Sequence, residues 1–414
     1  MKVLQINCAY KKGSTGKIVA EIHSELERRG LESIVCYGRA GETATNVYKS
    51  CKEYEANLHT LIIRTGLILN YGGLLLPTGR LIGIIKRENP DVVHLHCLNG
   101  SMVNIYRLLK WLAKSGIKVV VTHHAEFYYT GSCEHAYDCS QFMTNVGCQH
   151  CPIIFRATRS KTFDNSNRAW RNMRDAFAGF DRNNICFTAV SPWLKERSQL
   201  SPIVNRFRCE VVLNGVDIKT FNQTKEENII RKRTGNIYKR ICLFVGAYFN
   251  PTVKEDNKGG WYIYQLANKM PNTLFVVVSL RMDNVGNTPP NVLLWGASKG
   301  QQELASLYRS SDVTIVTSRR ETFSMVTAES LCCGTPVVGF KAGGPESIAI
   351  KDYSHFVNYG DTDALYEVIK DMLAKEKNSE FISCRAQEMY SSIRMTDNYI
   401  KIYEQLFKEK KQCI

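Results

Sequence analysis

The segment Ser318–Glu329 holds the residues whose types and spacing best suit chemistry on a phosphorylated ligand. The apolar run Val313–Val316 predicts a buried strand, and the pattern from Ser324 onward predicts a helix. A strand that turns into a helix directs backbone N–H groups and the positive end of the helix dipole beyond the strand, where they can bind a phosphate. Glu321 and Glu329 stand on either side of this helix start.

The spacing of the two glutamates bears on their use. If the stretch between them is helical, they are about 12 Å apart along the axis, at ~1.5 Å per residue. Glycosidases that use a carboxylate pair hold the two groups only ~5–9.5 Å apart. The spacing therefore predicts that Glu321 and Glu329 hold two ends of one long ligand; the alternative is an acidic helix start and a solvated glutamate.

Two further loops follow predicted strands in the same half of the chain. Gly343–Glu346 follows the strand at Pro336–Val338, and Gly246 with Lys258 follows the strand at Ile241–Val245. Glycine lets a backbone approach a ligand closely, and the lysine supplies a cation. Taken singly, Gly343–Glu346 fits an ordinary turn equally well, and Lys258 alone fits a surface lysine better than a ligand contact.

The elements that must position these residues alternate between strands and helices in both halves of the chain. This alternation predicts two doubly wound α/β domains, and the polar, charged stretch 222–239 is predicted to link them. Such domains bind ligands beyond the carboxyl ends of their strands, so two facing domains would form an interdomain cleft. The other predicted strands are Val3–Ile6, Val92–Leu95, Val119–Val121, Leu274–Val278 and Val292–Leu294.

Composition narrows the class of protein. The chain has 414 residues, 44% hydrophobic and 22% charged, which excludes a disordered or collagenous protein. Fifteen cysteines, an odd number spread along the chain, do not resemble a secreted disulfide framework. Residues 1–7 read as a strand rather than as a signal peptide. We therefore expect a cytoplasmic protein with reduced thiols.

Charge and hydropathy indicate the partners. Residues 1–215 carry 28 Lys+Arg against 17 Asp+Glu, which indicates a polyanionic partner such as a phospholipid surface, a phosphorylated ligand or nucleic acid. The apolar stretch Leu61–Ile85 has a charge-free core of 15 residues, short of the roughly 20 that a membrane span needs. It predicts either a membrane-facing amphipathic surface or an ordinary packed helix pair, and we favour loose contact with the inner leaflet of the membrane.

A cysteine cluster is the other unusual feature. Cys133, Cys139, Cys148 and Cys151 fall within 19 residues, and four thiolates can close a tetrahedral structural zinc site. The alternatives are reduced thiols that pack an insertion loop, or a redox-labile pair.

Taken in order, the segments of the second half resemble the donor domain of the family 4 retaining glycosyltransferases, which have the GT-B fold. The resemblance continues upstream to Leu213–Asp217 and to Gly13–Gly16. The motifs around His124 and the cysteine cluster are similar to those of the subgroup that builds bacterial capsular and exopolysaccharides, of the colanic-acid type. The segments that carry the resemblance in the second half are Gly246 with Lys258-Gly259, Glu321-x7-Glu329, Cys333–Val338 and Gly343–Glu346.

The resemblance implies a role for each matching residue. Glu321 would bind hydroxyls of the donor sugar, Glu329 would bind the ribose, and Lys258 would neutralise the diphosphate. His124 would contact the transferred sugar or the acceptor, with Glu321 as its catalytic partner. The remaining donor-site residues that it implies are Gly13, Ser14, Asn214, Gly246, Thr322, Phe323 and Ser324.

The resemblance also implies an organisation and an activity. Residues 1–216 would form the acceptor-side domain with a Cys-rich insertion at 130–152, residues 217–394 the donor domain, and 395–414 a helix that crosses back to the first domain. The enzyme would be a retaining transferase of the hexosyltransferase type, EC 2.4, in bacterial surface polysaccharide biosynthesis. It would use a nucleotide-diphosphate sugar and a saccharide or polyprenyl-diphosphate-linked acceptor, without a cofactor in catalysis, on the cytoplasmic side of the membrane.

Two positions depart from the family pattern. Many relatives have arginine immediately before the donor-site lysine, where this chain has Asn257; Arg281, Arg319 or Arg320 would then substitute. Relatives of the subgroup often follow the histidine with aspartate, where this chain has Ala125, which argues against an acid–base role at that place.

Two other functions compete with sugar transfer. A nucleotide-sugar epimerase on the same fold would need no acceptor. A zinc-containing nucleic-acid binder would use the net charge of +15 and the cysteines, but the basic residues are dispersed rather than gathered on one face. We therefore expect no nucleic-acid partner. A dehydrogenase is disfavoured because no Gly-x-Gly-x-x-Gly follows the first strand.

Overall fold

The computed structural model of this chain describes residues 1–408 and divides into two compact units. Unit 1 comprises Met1–Val212 together with the described chain from Met395 onward. Unit 2 comprises Leu213–Arg394. The sequence places this division four residues later, after residue 216.

Unit 1 is built on a seven-stranded sheet in the order β3-β2-β1-β4-β5-β6-β7, in which every neighbouring pair is parallel. Its central strands are buried, as expected for a parallel sheet with helices on both faces. The strands are β1 (Lys2–Asn7), β2 (Glu32–Tyr37), β3 (Val47–Lys49), β4 (Val92–Leu95), β5 (Lys118–His123), β6 (Ile185–Ala189) and β7 (Cys209–Val211).

The helices of unit 1 connect these strands. Local signals set their ends: the side chain of Asn104 caps one helix by accepting from the N–H of Arg107, and Gly116 ends it with φ +72°. The helices are α1 (Gly13–Arg28), α2 (Glu53–Ile63), α3 (Leu75–Glu88), α4 (Ile105–Ser115), α5 (Phe127–Thr130), α6 (Ile154–Thr158), α7 (Ser166–Ala178) and α8 (Pro192–Gln199).

Unit 2 repeats the plan with a six-stranded parallel sheet in the order β10-β9-β8-β11-β12-β13. The strands are β8 (Arg240–Phe249), β9 (Thr273–Met282), β10 (Val292–Gly296), β11 (Val313–Val316), β12 (Val337–Phe340) and β13 (Ser354–Val357). The helices are α9 (Ile229–Thr234), α10 (Gly260–Lys269), α11 (Gln301–Arg309), α12 (Met325–Cys332), α13 (Gly344–Ile348), α14 (Thr362–Ala374) and α15 (Ser379–Tyr390).

The last helix, α16 (Ser392–Lys408), packs on unit 1. Its buried face carries Met395, Tyr399, Ile402, Tyr403 and Leu406, which share a core with apolar residues of β1, α1, β4 and β5. The spacing of these five residues follows the helical period, so one stripe of the helix is apolar. Burial of this stripe fixes the end of the chain to the first sheet.

The prediction that residues 222–239 link two domains was wrong. They lie inside unit 2 and contain α9, whose Ile230 is fully buried. The Arg309 guanidinium donates to both oxygens of Glu226 and to the carbonyl of Asn222, which ties the stretch to α11. Its charged side chains therefore make specific pairs, although composition alone resembles that of a solvated connector.

The apolar stretch predicted at 61–85 forms the end of α2, a loop and most of α3. In the part of the chain that the structure describes, no helix is both long and apolar enough to cross a membrane.

Candidate functional site

The loops that carry Lys258, Glu321 and Gly343 lie at the carboxyl ends of three neighbouring strands, β8, β11 and β12. The chain runs outward from β8 through β9 to β10, and then returns to place β11 on the other side of β8. Doubly wound sheets bind ligands where the strand order reverses in this way. Lys258 lies after β8 and Glu321 lies after β11, so both belong to the two loops at this point.

Lys258 and Glu321 form an ion pair. The ammonium of Lys258 donates to Glu321 Oε1 at 2.5 Å, and the Ser318 hydroxyl donates to the same oxygen at 2.9 Å. The Glu321 carboxylate raises the pKa of Lys258 above its ordinary value, against the opposing effect of burial. Lys258 therefore remains a cation at the switch point of the sheet, where it can meet a phosphate.

Glycine is required where the loop after β12 crosses the loop after β11. The N–H of Glu321 donates to the carbonyl of Ala342 at 3.0 Å, and the N–H of Gly344 donates back to the carbonyl of Glu321 at 2.8 Å. A Cβ on Gly344 would lie 2.5 Å from the backbone nitrogen of Phe323, closer than side chains are found. Glu346 accepts from two N–H groups of its own loop, so its carboxylate holds the loop.

The helix that follows β11 begins later than the spacing argument assumed. Ser324 is the N-cap of α12, with φ +81° and a hydroxyl that accepts from the N–H of Thr327 at 3.2 Å. Glu321 therefore lies in the turn before the helix, and the estimate of 12 Å along a continuous helix does not apply. A non-glycine residue with positive φ is uncommon and is concentrated at functional turns.

Glu329 lies one turn into α12, where the hydroxyl of Tyr308 donates to its Oε2 at 3.1 Å. Tyr308 is fully buried, and burial raises the pKa of its phenol well above the ordinary value. The phenol is therefore a hydrogen-bond donor at all working pH values, and it fixes the position of the carboxylate.

The other predicted donor residues of unit 2 differ in their surroundings. Phe323 is buried with its ring against that of Tyr390, and Thr322 beside it is half-buried. Asn214 is buried, and its Oδ1 has no hydrogen-bond partner among the described residues. An unsatisfied buried acceptor of this kind is suited to a ligand donor.

Gly246 was expected in a loop after a strand that ends at residue 245, and this was wrong. It lies inside β8, paired with Ser279 of β9, because the strand continues to Phe249.

The arginines considered as substitutes for the family's missing cation have partners of their own. Arg281 pairs with a neighbouring aspartate and Arg319 with a glutamate, and Arg320 also makes contacts.

In unit 1, the loop after β1 leads directly into α1. Gly13 opens the helix with φ +68°, and Ser14 in its first turn is exposed. Asn7, at the end of β1, is fully buried; its amide donates to the carbonyl of Ala9 at 2.7 Å and accepts from the N–H of Cys97 at 3.0 Å. This residue joins the loops after β1 and β4, and nothing in its sequence context marks it.

His124 follows β5 directly and takes part in a chain of buried hydrogen bonds. Its Nε2 lies 3.0 Å from Nδ1 of His96, and Nε2 of His96 lies 3.2 Å from Oε1 of Gln5. The Gln5 amide nitrogen faces the carbonyl of Val19 at 3.5 Å, and a carbonyl can only accept. Gln5 therefore presents its oxygen to His96.

This chain assigns the tautomers of both histidines. His96 must donate from Nε2 to Gln5, and burial keeps its pKa well below the ordinary value, so a neutral His96 accepts at Nδ1. His124 then donates from Nε2, and burial lowers its own pKa to about 3. The Nδ1 lone pair is consequently the group through which His124 accepts, and a neutral His124 cannot act as a general acid at pH 7.

The cysteine-rich insertion folds against α7. A Cβ on Gly131 would lie 2.5 Å from Cα of Trp170, and one on Gly147 would lie 2.3 Å from its indole ring, so both glycines allow close packing. A buried ion pair holds the same region: Arg197 Nε donates to Glu126 Oε2 at 2.8 Å. The indole and the ion pair together fix this loop at the carboxyl end of the sheet.

The four cysteines of the insertion are free thiols, of which Cys133 and Cys148 are buried. Burial, together with the neighbouring Cys139 and Cys151, raises the pKa of Cys148 to about 12. Within residues 1–408, no group of three or more His, Cys, Asp or Glu side chains is arranged to hold a metal ion. The zinc site stays a prediction from the sequence.

Both units match known families. The Glycosyltransferase Family 4 model matches residues 15–220, and the model for Glycosyl transferases group 1 matches residues 283–389. A relative from Escherichia coli K12, WcaC, named as a colanic acid biosynthesis glycosyl transferase, is 22% identical over 98% of this chain and 100% of its own length.

Solved structures show the same fold. A sucrose-phosphate synthase from Thermosynechococcus elongatus, 14% identical, aligns with a TM-score of 0.69 over 99% of this chain and 100% of its own. Anabaena HepE, solved in complex with UDP, is 15% identical and aligns with a TM-score of 0.64 over 98% and 100%. The two parallel sheets and these neighbours confirm the predicted GT-B fold. With one family model on each unit and a relative aligned along the full length, the chain belongs to the GT-B glycosyltransferases of the family 4 and group 1 type.

Proposed function

We propose that this enzyme is a retaining glycosyltransferase of bacterial surface polysaccharide biosynthesis. It transfers a sugar from a nucleotide-diphosphate sugar to a saccharide or polyprenyl-diphosphate-linked acceptor. The observation that carries the proposal is the Lys258–Glu321 pair at the switch point of the second sheet. The name of the E. coli relative supports the polysaccharide pathway, and the HepE complex supports a nucleotide donor.

In the donor half of the proposed reaction, the diphosphate binds Lys258 and the N–H groups at the start of α12. Glu321 exchanges its contact with Lys258 for hydroxyls of the sugar, and Glu329, held by Tyr308, binds the ribose. Charge develops on the diphosphate as the bond from the sugar C1 to the phosphate oxygen breaks. A preorganised cation and aligned N–H groups lower the barrier to that step, so the proposed catalysis calls for no further cofactor.

In the acceptor half, an acceptor hydroxyl bonds to C1 on the face that the phosphate leaves, which retains the anomeric configuration. The departing phosphate oxygen takes the hydroxyl proton, so no protein base is needed. This role agrees with Ala125, where relatives of the subgroup often have an acid. His124 accepts a hydrogen bond at Nδ1 from a hydroxyl of the transferred sugar or of the acceptor.

An exposed apolar surface supports an acceptor at the inner face of the membrane. Tyr54, Leu58 and Leu61 of α2 are each more than half exposed and recur at helical spacing on one side. Leu75 and Leu76 at the start of α3 are exposed as well. Together with a net charge of +15, which attracts anionic headgroups, this surface suits peripheral contact without insertion.

The test is a transfer assay with labelled nucleotide sugars and a prenyl-diphosphate-linked saccharide. We expect a product whose anomeric coupling constant in the NMR spectrum matches that of the donor. Lys258→Ala should lower kcat roughly 10²-fold, as loss of a transition-state donor does. Lys232→Ala, which removes an exposed lysine of α9, is the control. An inverted product would contradict retention, and an isomerised sugar nucleotide without acceptor would indicate an epimerase.

A further inference from the structure

A cavity of about 430 Å³ lies in unit 1, at the carboxyl ends of β1, β2 and β4. Strand β1 has β2 on one side and β4 on the other, so this is the point at which the order of the first sheet reverses. The Cys-rich insertion forms part of its wall through Glu134. None of the residues that bind the donor in the proposed function lines it.

The lining of this cavity is cationic. Its charged residues are Arg39, Arg64, Arg159 and Glu134, a formal net charge of +2. Arg159 pairs with Glu134 at 3.1 Å, and Arg39 pairs with Glu53 at 3.1 Å. Arg64 makes no ion pair among the described residues, so its guanidinium is available to an anion.

The cavity also has a buried acceptor that lacks a partner. Asn70 is 6% exposed and lines the cavity, and its Oδ1 has no hydrogen-bond partner in the described chain. Its amide nitrogen is used, since it donates to the carbonyl of Ala157 at 3.5 Å. A buried acceptor left unsatisfied costs stability unless a ligand donor meets it. A hydroxyl group of a ligand is a suitable donor.

We infer that this cavity binds the acceptor through a phosphate group next to a hydroxylated ring. The uncompensated charge of Arg64, with the paired guanidinium groups of Arg39 and Arg159 beside it, favours a phosphate group. The fork of an arginine fits phosphate oxygens in pairs, and Asn70 accepts from a sugar hydroxyl. The inference rests on the proposed function, in which unit 1 receives the acceptor.

Two sources can supply this chemistry, namely a free sugar phosphate and a lipid-linked sugar diphosphate. Both place phosphate oxygens at Arg64 and hydroxyls at Asn70. They differ in what lies outside the cavity, because only the lipid has an apolar chain for the exposed leucines of α2. Helix α2 contributes both to the cavity and to the exposed apolar surface, since Thr60 and Ile63 line the cavity while Leu58 and Leu61 are exposed.

The experiment is calorimetric titration of the full chain with inorganic pyrophosphate, glucose 1-phosphate, farnesyl diphosphate and methyl glucoside. All titrations use Lys258→Ala, so that anions at the donor site do not contribute. We expect a phosphate-bearing probe to bind and methyl glucoside to bind far more weakly. Arg64→Ala should weaken phosphate binding by at least about tenfold, because charge-assisted hydrogen bonds are lost.

The matched control is Arg182→Ala, which removes an exposed arginine just before β6, at the amino end of that strand of the same sheet. It should leave the dissociation constants unchanged. Asn70→Ala should weaken glucose 1-phosphate more than pyrophosphate, since only the sugar has ring hydroxyls. Tighter binding of farnesyl diphosphate than of glucose 1-phosphate supports the lipid-linked source, and the reverse order supports a free sugar phosphate.

Equal binding of methyl glucoside and glucose 1-phosphate would overturn the inference, and so would phosphate binding that Arg64→Ala leaves unchanged. Both results are independent of the donor site. A separate titration of the unaltered chain with nucleotide diphosphates reports on that site. If phosphate binds this cavity but no nucleotide binds the enzyme, the proposed function fails while the assignment of the cavity stands.

Discussion

The hydrogen-bond chain from Gln5 through His96 to His124 leads to a prediction about a residue to which we assign no ligand contact. Gln5→Leu keeps the approximate volume of a fully buried side chain but removes the oxygen that accepts from His96. His96 then no longer has to donate from Nε2, and the contact that assigns the tautomer of His124 is lost. The substitution therefore changes the hydrogen-bonding character of His124 without touching it.

The magnitudes favour a change of tautomer. If His96 kept its proton on Nε2, a buried N–H without a partner would cost ~1–3 kcal/mol. Moving the proton to Nδ1 exchanges the unpaired N–H for an unsatisfied lone pair, which buried groups tolerate more often, and lets His96 donate to His124 across the same 3.0 Å contact. His124 would then carry its proton on Nδ1. The loss of one neutral hydrogen bond to a substrate hydroxyl, ~0.5–1.5 kcal/mol, lowers kcat/KM roughly 2- to 13-fold.

Nitrogen-15 NMR of the histidine rings reads the tautomer directly. We expect His124 to carry its proton on Nε2 in the unaltered enzyme and to shift toward Nδ1 in Gln5→Leu. Ser33→Ala is the matched control, because it removes the hydroxyl 2.8 Å from Nδ1 of buried His23 and leaves this chain intact. A proton on Nδ1 of His124 in the unaltered enzyme, or an unchanged spectrum in Gln5→Leu, would refute the assignment.

Three further predictions concern stability. Ser324→Gly should be about 1 kcal/mol less destabilising than Ser324→Ala in urea unfolding, because both lose the N-cap hydroxyl but only glycine adopts positive φ freely; equal losses would contradict this. Arg197→Met should cost about 3–5 kcal/mol by leaving the buried Glu126 carboxylate without its cation, and a loss below about 1 kcal/mol would contradict it. Burial lowers the pKa of His124 to about 3, so below pH ~6.5 the unfolded chain binds a proton that the folded chain does not. The free energy of unfolding should therefore be lower at pH 5 than at pH 7, by about 2 kcal/mol for this ring alone.

The strands were the most predictable part of the molecule. Strands of a parallel sheet are buried on both faces, so they appear in the sequence as continuous apolar runs. For Val92–Leu95 and Val313–Val316 the predicted bounds match the structure. β8 and β9 were predicted too short, because their ladder continues through Tyr248–Arg281 and Phe249–Met282, beyond the apolar run.

Some parts of the candidate site could likewise be predicted from the sequence, and others could not. The loops after β8, β11 and β12 could be located from sequence because each follows an apolar run, and adjacent parallel strands end at one edge. The helix start near Ser324 and the turn before it were located correctly, yet the conformation of that turn was not, since Ser324 caps the helix with a positive φ. Single residues with positive φ other than glycine leave little trace in the sequence.

Long-range polar contacts could not be predicted. Gln5 and His96 are 91 positions apart, and Asn7 and Cys97 are 90 apart, on strands whose pairing depends on the whole sheet. The cationic cavity likewise collects arginines from three separate segments. The pairing of Arg309 with Glu226 could not be predicted either, because the charged stretch that contains Glu226 resembled a solvated linker in the sequence.

The most direct test of the donor site is a thermal-shift panel with UDP, GDP, ADP, CMP and dTDP. A ligand that binds only the folded state raises the apparent Tm, and we expect one diphosphate to do so clearly. The shift should persist in Glu367→Ala, which removes an exposed glutamate of α14, and should vanish in Glu329→Ala. A nucleotide shift that survives in Glu329→Ala, or the absence of a shift with every nucleotide, would contradict the assignment of the second unit as the nucleotide-sugar site.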